Sequence, residues 1–323
     1  MVPAETPQPD APMTDPNRRS LLIGSAGALA AGPLIAGGAA AQSLVESPEN
    51  WTTMDRPKRD AAYNNSLAVP EAGQITAGWD AASAKLRAAH AKTMDLAYGP
   101  RERNRWDLFP ADKPDAPCLV FIHGGFWQAR SRETFACLME GVRAAGLSAA
   151  LPGYTLAPDA PLTEIVAEIR SGLDWLAAEG GKHGIRGPVI LSGWSAGGHL
   201  AAMALDHPSV KAGFAISGIY ELAPLRDTYV NDKLRLTDRE VAELSPLRLD
   251  ATDKPLTLAY GSAELSTLVE NTRVFHAFRS AQHVAGGLIP VPHANHFSVL
   301  EALRARDGVL ARGVIEIASD LTA

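Results

Sequence analysis

From residue 95 onward, short apolar runs alternate with longer stretches in which apolar residues recur every three or four positions. Leu96-Ala97-Tyr98 and Arg105–Phe109 predict two early strands around the turn Gly99-Pro100. Leu119–His123, Leu147–Leu151, Val189–Gly193, Ala212–Ser217, Leu256–Tyr260 and Gly287–Val291 predict later ones. Helical spacing fills the intervals, over Arg132–Ala145, Leu162–Ala178, Ala196–Asp206, Thr267–Ser280 and a closing Phe297–Arg304. In the second of these, Ile165, Val166, Ile169, Leu173 and Leu176 share one face. Ala81–Lys92 predicts a helix ahead of the first strand. Strand and helix in alternation imply an α/β chain, with a mostly parallel central sheet and helices on both faces. Ligands of such sheets bind beyond the carboxyl ends of the strands, so chemistry is expected just after each one.

Two segments break the rhythm. Residues 42–75 show little periodicity and read as an arm wrapping the domain. Residues 221–250 are polar and contain Thr237-Asp238-Arg239-Glu240, a capping-box pattern before Val241 and Leu244, which predicts a small cap insertion over the site. Ahead of both, Asn17-Arg18-Arg19-Ser20 leads into an apolar, Gly- and Ala-rich stretch that ends Ala39-Ala40-Ala41. A charged start, a moderately apolar middle and small residues at a cleavage position make a secretory layout, and the arginine pair selects the twin-arginine route. Glycines 24, 27, 32, 37 and 38 and Pro33 weaken the alternative, a membrane-spanning helix. The expected organisation is a signal peptide over 1–41 and one domain over 42–323. The twin-arginine export machinery is then a partner, and the destination is periplasmic or secreted.

Composition narrows the partners. The formal net charge of −6, with no clustered basic face, argues against nucleic acid. Cys118 and Cys137 form no CxxC pair, so zinc and thiol-redox readings lack support. Two buried thiols are expected, with a disulfide between them left open. No metal or organic cofactor is called for, and self-association is left open.

The chemistry concentrates at three strand ends. Gly193-Trp194-Ser195-Ala196-Gly197-Gly198 fits G-x-S-x-G between a β-branched strand and an Ala-rich helix, the context in which that motif carries a nucleophilic serine. His123-Gly124-Gly125-Phe126-Trp127 directly follows the strand Leu119–Ile122. Acyl transfer needs preorganised amide donors for the developing oxyanion. Gly125, Phe126 and Ala196 are assigned that role, with Gly124 enabling the turn, and His123 is read as structural. A serine also needs a base, and the base a carboxylate. After the last strand, His293 and His296 both stand where a base could reach Ser195. Asp250 and Asp253 precede the strand Leu256–Tyr260 and lie at its wrong end, whereas Glu264 lies just past it and Glu270 falls a further helical turn on. Glu264 is the expected acid.

These residues resemble the kynurenine formamidase (arylformamidase) branch of the α/β-hydrolases and the related carboxylesterases. The resemblance rests on His-Gly-Gly-x-Trp at 123–127, Tyr154-Thr155-Leu156-Ala157-Pro158, Gly193–Gly198, Ser217-Gly218-Ile219-Tyr220 and Asn295-His296-Phe297. It runs from about Tyr63 to the closing helix. It implies the α/β-hydrolase fold, selects His296 over His293, and makes Ser195, Glu264 and His296 a triad. Phe126, Trp127, Tyr154, Tyr220 and Phe297 near the strand ends suggest an aromatic-lined pocket. The expected activity is hydrolysis of a small, aryl-bearing carboxylic ester or activated amide through an acyl-enzyme on Ser195. Two alternatives stand beside it: hydrolysis of N-formylkynurenine or a similar N-formyl arylamine, and a catalytically silent binding protein on the same fold.

Overall fold

The computed structural model describes residues 51–323. The expected signal peptide (1–41), with its export role, and the start of the arm lie outside the described residues. Eight strands form one sheet: β1 (Leu96–Ala97), β2 (Arg105–Phe109), β3 (Cys118–Ile122), β4 (Ser148–Pro152), β5 (Val189–Trp194), β6 (Val210–Ile216), β7 (Leu256–Gly261) and β8 (Leu288–Val291). Their spatial order is β1-β2-β4-β3-β5-β6-β7-β8. β2 runs antiparallel to β1 and β4, and every later pairing is parallel.

Period-two alternation along the central strands divides the core. Cys118, Val120 and Ile122 of β3 and Leu191 of β5 join one hydrophobic cluster, while Leu119, Phe121 and Ile190 join the other. Both faces are therefore apolar and need covering, which is why these strands read as unbroken apolar runs. The principal helices are α1 (Arg56–Tyr63), α2 (Ala72–Ala89), α3 (Leu162–Glu179), α4 (Ala196–Met203), α5 (Asp238–Leu244), α6 (Ser266–Ala281) and α7 (Val309–Asp320). Leu173 of α3 and Leu200 of α4 bury into the first cluster. Trp79 of α2 and Leu310 and Val314 of α7 bury into the second. Each such side chain, once buried, contributes on the order of 1.5–3 kcal/mol. Cys118 and Cys137 are buried free thiols, and burial pushes the Cys118 thiol up to about 12.

The elements differ from the sequence expectation in several places, among them the closing Phe297–Arg304, which is a 3-10 stretch (Ser298–Leu300) running into a short α-helix (Glu301–Arg304). α2 starts nine residues before Ala81, because Gly73 and Gly78 dilute a pattern that Ala72, Trp79 and Ser83 nonetheless bury. The arm is helical over Arg56–Tyr63, with Asp55 accepting from the Lys58 amide at 3.0 Å as its N-cap. Arg132–Met139 is a 3-10 stretch leading into a short α-helix, Glu140–Ala144, instead of one helix. The last helix is α7, beyond the expected closing one, with Leu310, Ala311, Val314 and Ala318 on its buried face. In 221–250 the described elements are short helical pieces, and α5 carries both reciprocal bonds of the Thr237–Glu240 capping box.

Candidate active site

Ser195 sits between β5 and α4 with φ 57° and ψ −120°, a left-handed backbone that a non-glycine residue adopts only under constraint. The constraint is visible. The Ser195 amide donates to the Ile216 carbonyl of β6 at 2.9 Å, and the Ser195 carbonyl accepts from His199 N at 3.1 Å. Glycine is required on both sides. A Cβ at Gly193 would lie 2.1 Å from the Gly197 carbonyl oxygen, and one at Gly197 would lie 2.0 Å from that of Ile122. Strand and helix approach too closely there for any side chain. Ala196 opens α4, so its N–H is one of the first-turn amides that a helix leaves without an internal acceptor.

The loop after β3 is the second part. Gly124 is packed against Trp194, and a Cβ on it would sit 3.0 Å from that of Ser195. Gly125 (φ 111°), Phe126 (φ 49°) and Trp127 (φ 57°) follow in succession with positive φ. The turn is closed by Gln128 and Ala129 amides donating to the Gly125 carbonyl, both at 3.0 Å. His123 lies beneath it, buried, its ring stacked 4.2 Å from that of Tyr154. Its Nδ1 bonds the Gly124 carbonyl at 2.8 Å. A carbonyl can only accept, so the proton is on Nδ1, and burial lowers the ring's pKa to about 3. His123 is held neutral beside the loop and does not line the cavity below.

The third part joins the ends of β6, β7 and β8. His296 Nδ1 donates to Glu264 Oε2 at 2.7 Å. The other oxygen, Oε1, accepts from Ser217 Oγ and from the Gly261 amide, each at 2.6 Å. The Glu264 side chain is fully buried and that of His296 is 4% exposed. Trp194 Nε1 donates to the His296 carbonyl at 2.9 Å, and the two rings lie 4.7 Å apart. Asn295 Oδ1 accepts from the amides of Phe297 and Ser298, folding the tight loop that presents the imidazole. His293 is exposed on the same loop, and Ser262 Oγ accepts from its amide.

Ser195, His296, Gly125 and Phe126 share one cavity of about 470 Å³. That volume falls within the range of about 300–1,000 Å³ typical of small-molecule sites. Its aromatic lining is Phe126, Trp194, Tyr229 and Phe297. The remaining expected lining residues are elsewhere. Trp127 packs edge-on against His199 at 4.9 Å, and Tyr154 stacks on His123 and donates its hydroxyl to the His123 carbonyl. Tyr220 stacks on Phe275 at 4.2 Å. All three follow strand ends, but their rings turn down into the core. Sequence reasoning missed Ser217, Trp194 as a lining residue, Tyr229 and Lys233 from 221–250, and Asn65 and Ser66 from the arm. Ser217 had a visible signal in the sequence, since it ends the expected strand Ala212–Ser217 and precedes Gly218.

Residues 119–279 match the family model described as an alpha/beta hydrolase fold. Kynurenine formamidase of Danio rerio is 25% identical over 290 residues, covering 83% of this chain and 98% of the relative. An esterase of Mycobacterium tuberculosis is 27% identical over 232 residues, covering 62% of this chain and 57% of its own. Among solved structures, a chain from Silicibacter sp. provisionally called a thioesterase superposes with a TM-score of 0.70 at 27% identity. That match covers 82% of this chain and 98% of the other.

Proposed function

Because this chain belongs to the α/β-hydrolase family, we propose that it hydrolyses a small carboxylic ester or activated amide, with Ser195, His296 and Glu264 as nucleophile, base and acid. The observation that carries the reading is the convergence on one cavity of a serine on a constrained elbow and an imidazole bonded at 2.7 Å to a buried carboxylate. With its Nδ1 proton committed to Glu264, the neutral imidazole offers Nε2 as the acceptor for the Ser195 hydroxyl proton. Ser195 Oγ then bonds the substrate carbonyl carbon as that proton moves to Nε2. The carbonyl oxygen becomes an oxyanion, facing the amides of Phe126, Gly125 and Ala196. Each well-placed donor of this kind contributes about 3–4 kcal/mol to the transition state. Collapse expels the alcohol or amine, which takes the proton from Nε2 and leaves an acyl-Ser195. A water deprotonated by the same nitrogen releases the acid.

The formamidase of Danio rerio, aligned over nearly its whole length, supports the second reading, in which the acyl group is formyl and the leaving group an arylamine. The pattern around Arg18-Arg19 supports export by the twin-arginine machinery to a periplasmic or secreted location. The test of the hydrolase reading is covalent. A fluorophosphonate should label the purified protein once per chain at Ser195. Aryl acetate or N-formylkynurenine turnover should fall at least about 10³-fold in Ser195→Ala. Labelling that persists in that variant, or turnover that survives it, would refute the assignment. The ratio of the two substrates' rates decides between ester and formamide.

A further inference from the structure

Another cavity, of about 260 Å³, opens between the carboxyl end of α4, residues 246–252 and the last turns of α6. It shares no lining residue with the cavity of Ser195. The two lie at opposite ends of α4, a helix of eight residues and therefore about 12 Å long. Its wall is largely apolar, with Ala202 and Met203 of α4 facing Leu249 and Phe275. Into this wall α6 inserts Arg279, which is only 3% exposed.

An arginine so deeply buried ordinarily has a carboxylate beside it. Arg279 forms no ion pair among the described residues. Its Nη2 donates to the Lys254 carbonyl at 2.8 Å, and its Nε is buried with no hydrogen-bond partner. The guanidinium carbon lies 5.9 Å from the Phe275 ring centroid. Burial lowers the Arg279 pKa, a cost that a bound anion would relieve. Two carboxylates reach the lining, and neither pairs with Arg279. Arg170 bonds Asp206 at 2.5 Å and holds its carboxyl below the usual range. Asp250 is exposed, at the mouth. A guanidinium offers parallel N–H groups that match the two oxygens of a carboxylate. Set among apolar side chains, with donors unused, it recognises an anion carried on an apolar body.

We propose that this cavity is a second ligand site that takes a small monocarboxylate, with the carboxylate on Arg279 and the apolar body against Phe275, Met203 and Leu249. Its volume, just under the range of about 300–1,000 Å³ for drug-sized ligands, fits a body of one ring or a short chain. The proposal stands apart from the chemistry at Ser195 and does not depend on the hydrolase reading.

The probe is benzoate, with benzamide as its neutral counterpart of the same shape, each titrated calorimetrically into the full chain. Benzoate should bind at least about tenfold more tightly, the ratio expected for one charge-assisted contact. Arg279→Met should abolish that preference, and Arg279→Lys, which keeps the charge without the fork, should retain part of it. Ala202→Leu fills the cavity and leaves Arg279 in place, so it carries the test if Arg279→Met fails to fold. It should weaken benzoate about tenfold or more. Asp250→Asn removes a repulsive charge at the mouth and should tighten benzoate by about two- to threefold at low salt. Ser66→Trp narrows the cavity of Ser195 and should leave benzoate binding unchanged. A preference that survives both Arg279→Met and Ala202→Leu, or one removed by Ser66→Trp, would put the ligand elsewhere and overturn the proposal. Equal binding of the two probes, or binding of neither at about 10 mM, would overturn it as well.

Discussion

Replacing Glu264 by Gln tests the proposed catalytic geometry with the smallest change of shape. The carboxylate accepts three hydrogen bonds, from His296 Nδ1 at 2.7 Å and from Ser217 Oγ and Gly261 N at 2.6 Å each. The glutamine oxygen can keep the last two, which fixes the amide's orientation and turns its NH2 toward His296. Nδ1 must then accept, so the single proton of the neutral ring moves to Nε2. That is the nitrogen needed to receive the serine proton, and in this tautomer it is already filled. The imidazolium formed during attack also loses its buried counter-charge. Removing one partner of a buried charged pair costs about 3–5 kcal/mol, or roughly 10²–10⁴ in rate. The same isosteric change in the serine-protease triad costs about 10⁴ in kcat. Glu264→Gln should therefore lower kcat on a neutral aryl acetate by 10²–10⁴ (about 3–5 kcal/mol) with KM little changed. The retained bonds to Ser217 and Gly261 should hold the melting temperature within a few degrees. A folded variant with kcat within tenfold of the parent would show that Glu264 does not set the tautomer of His296, and the proposed proton path would be wrong.

Gly125→Ala places a methyl 2.2 Å from the Ala129 carbonyl oxygen in a residue with φ 111°, so the turn must open and carry the Phe126 amide with it. Turnover should fall about 10²–10³-fold, the value of one oxyanion donor, and unchanged kcat would exclude this loop from the oxyanion site. His123 and His199 are buried, with pKa lowered by desolvation from 6.5 to about 3 and about 4 respectively. The unfolded chain binds these protons near pH 6.5 and the folded chain does not, so the unfolded state holds more protons between the two values. Stability should be full above pH 6.5 and fall by about 1.4 kcal/mol per pH unit per histidine as pH drops toward 4. Urea midpoints measured from pH 7 to 4.5 should show this decline and His199→Asn should flatten it by about half; a pH-independent midpoint would contradict it.

Much of the fold is legible in the sequence because its signals are local. Strand runs such as Cys118–Ile122 and Val189–Trp194 are apolar on both faces, and turn glycines bound them. Glu264 could be chosen over Asp250 and Asp253 by topology alone, since only the carboxyl ends of parallel strands reach the site. The cavity wall was less legible. A ring that follows a strand end can turn up toward the ligand, as Phe126 does, or down into the core, as Trp127 does one residue later. That choice is made by backbone torsions and by neighbours distant in sequence. For the same reason the contribution of Asn65 from the arm was invisible, and although a cap over 221–250 was expected above the site, its pattern did not reveal that Tyr229 and Lys233 are the side chains that line the cavity. Early residues of α2 were hidden by weak helix formers that hold their place through Trp79 and Ser83.

The site's positive-φ residues explain why so much of the remaining sequence serves it. Phe126, Trp127, Arg130, Ser195 and Ser217 all hold left-handed torsions without being glycine. Each such torsion costs on the order of 1–2 kcal/mol for an L residue. A loop left to itself would relax. Here each strained segment is tied to a rigid element. The Ser195 amide is bonded to β6, the Ser217 amide to Ala259 of β7, the Trp127 carbonyl to the Ala157 amide, and the Arg130 carbonyl to Arg103. Arg103 also donates from Nε to the Tyr154 carbonyl at 2.7 Å, so one guanidinium joins the loop after β3 to the loop after β4. Strain concentrated at the strand ends is thus balanced by hydrogen bonds into the sheet and its adjoining loops. Positioning of the serine and the amides depends on residues that never touch the cavity.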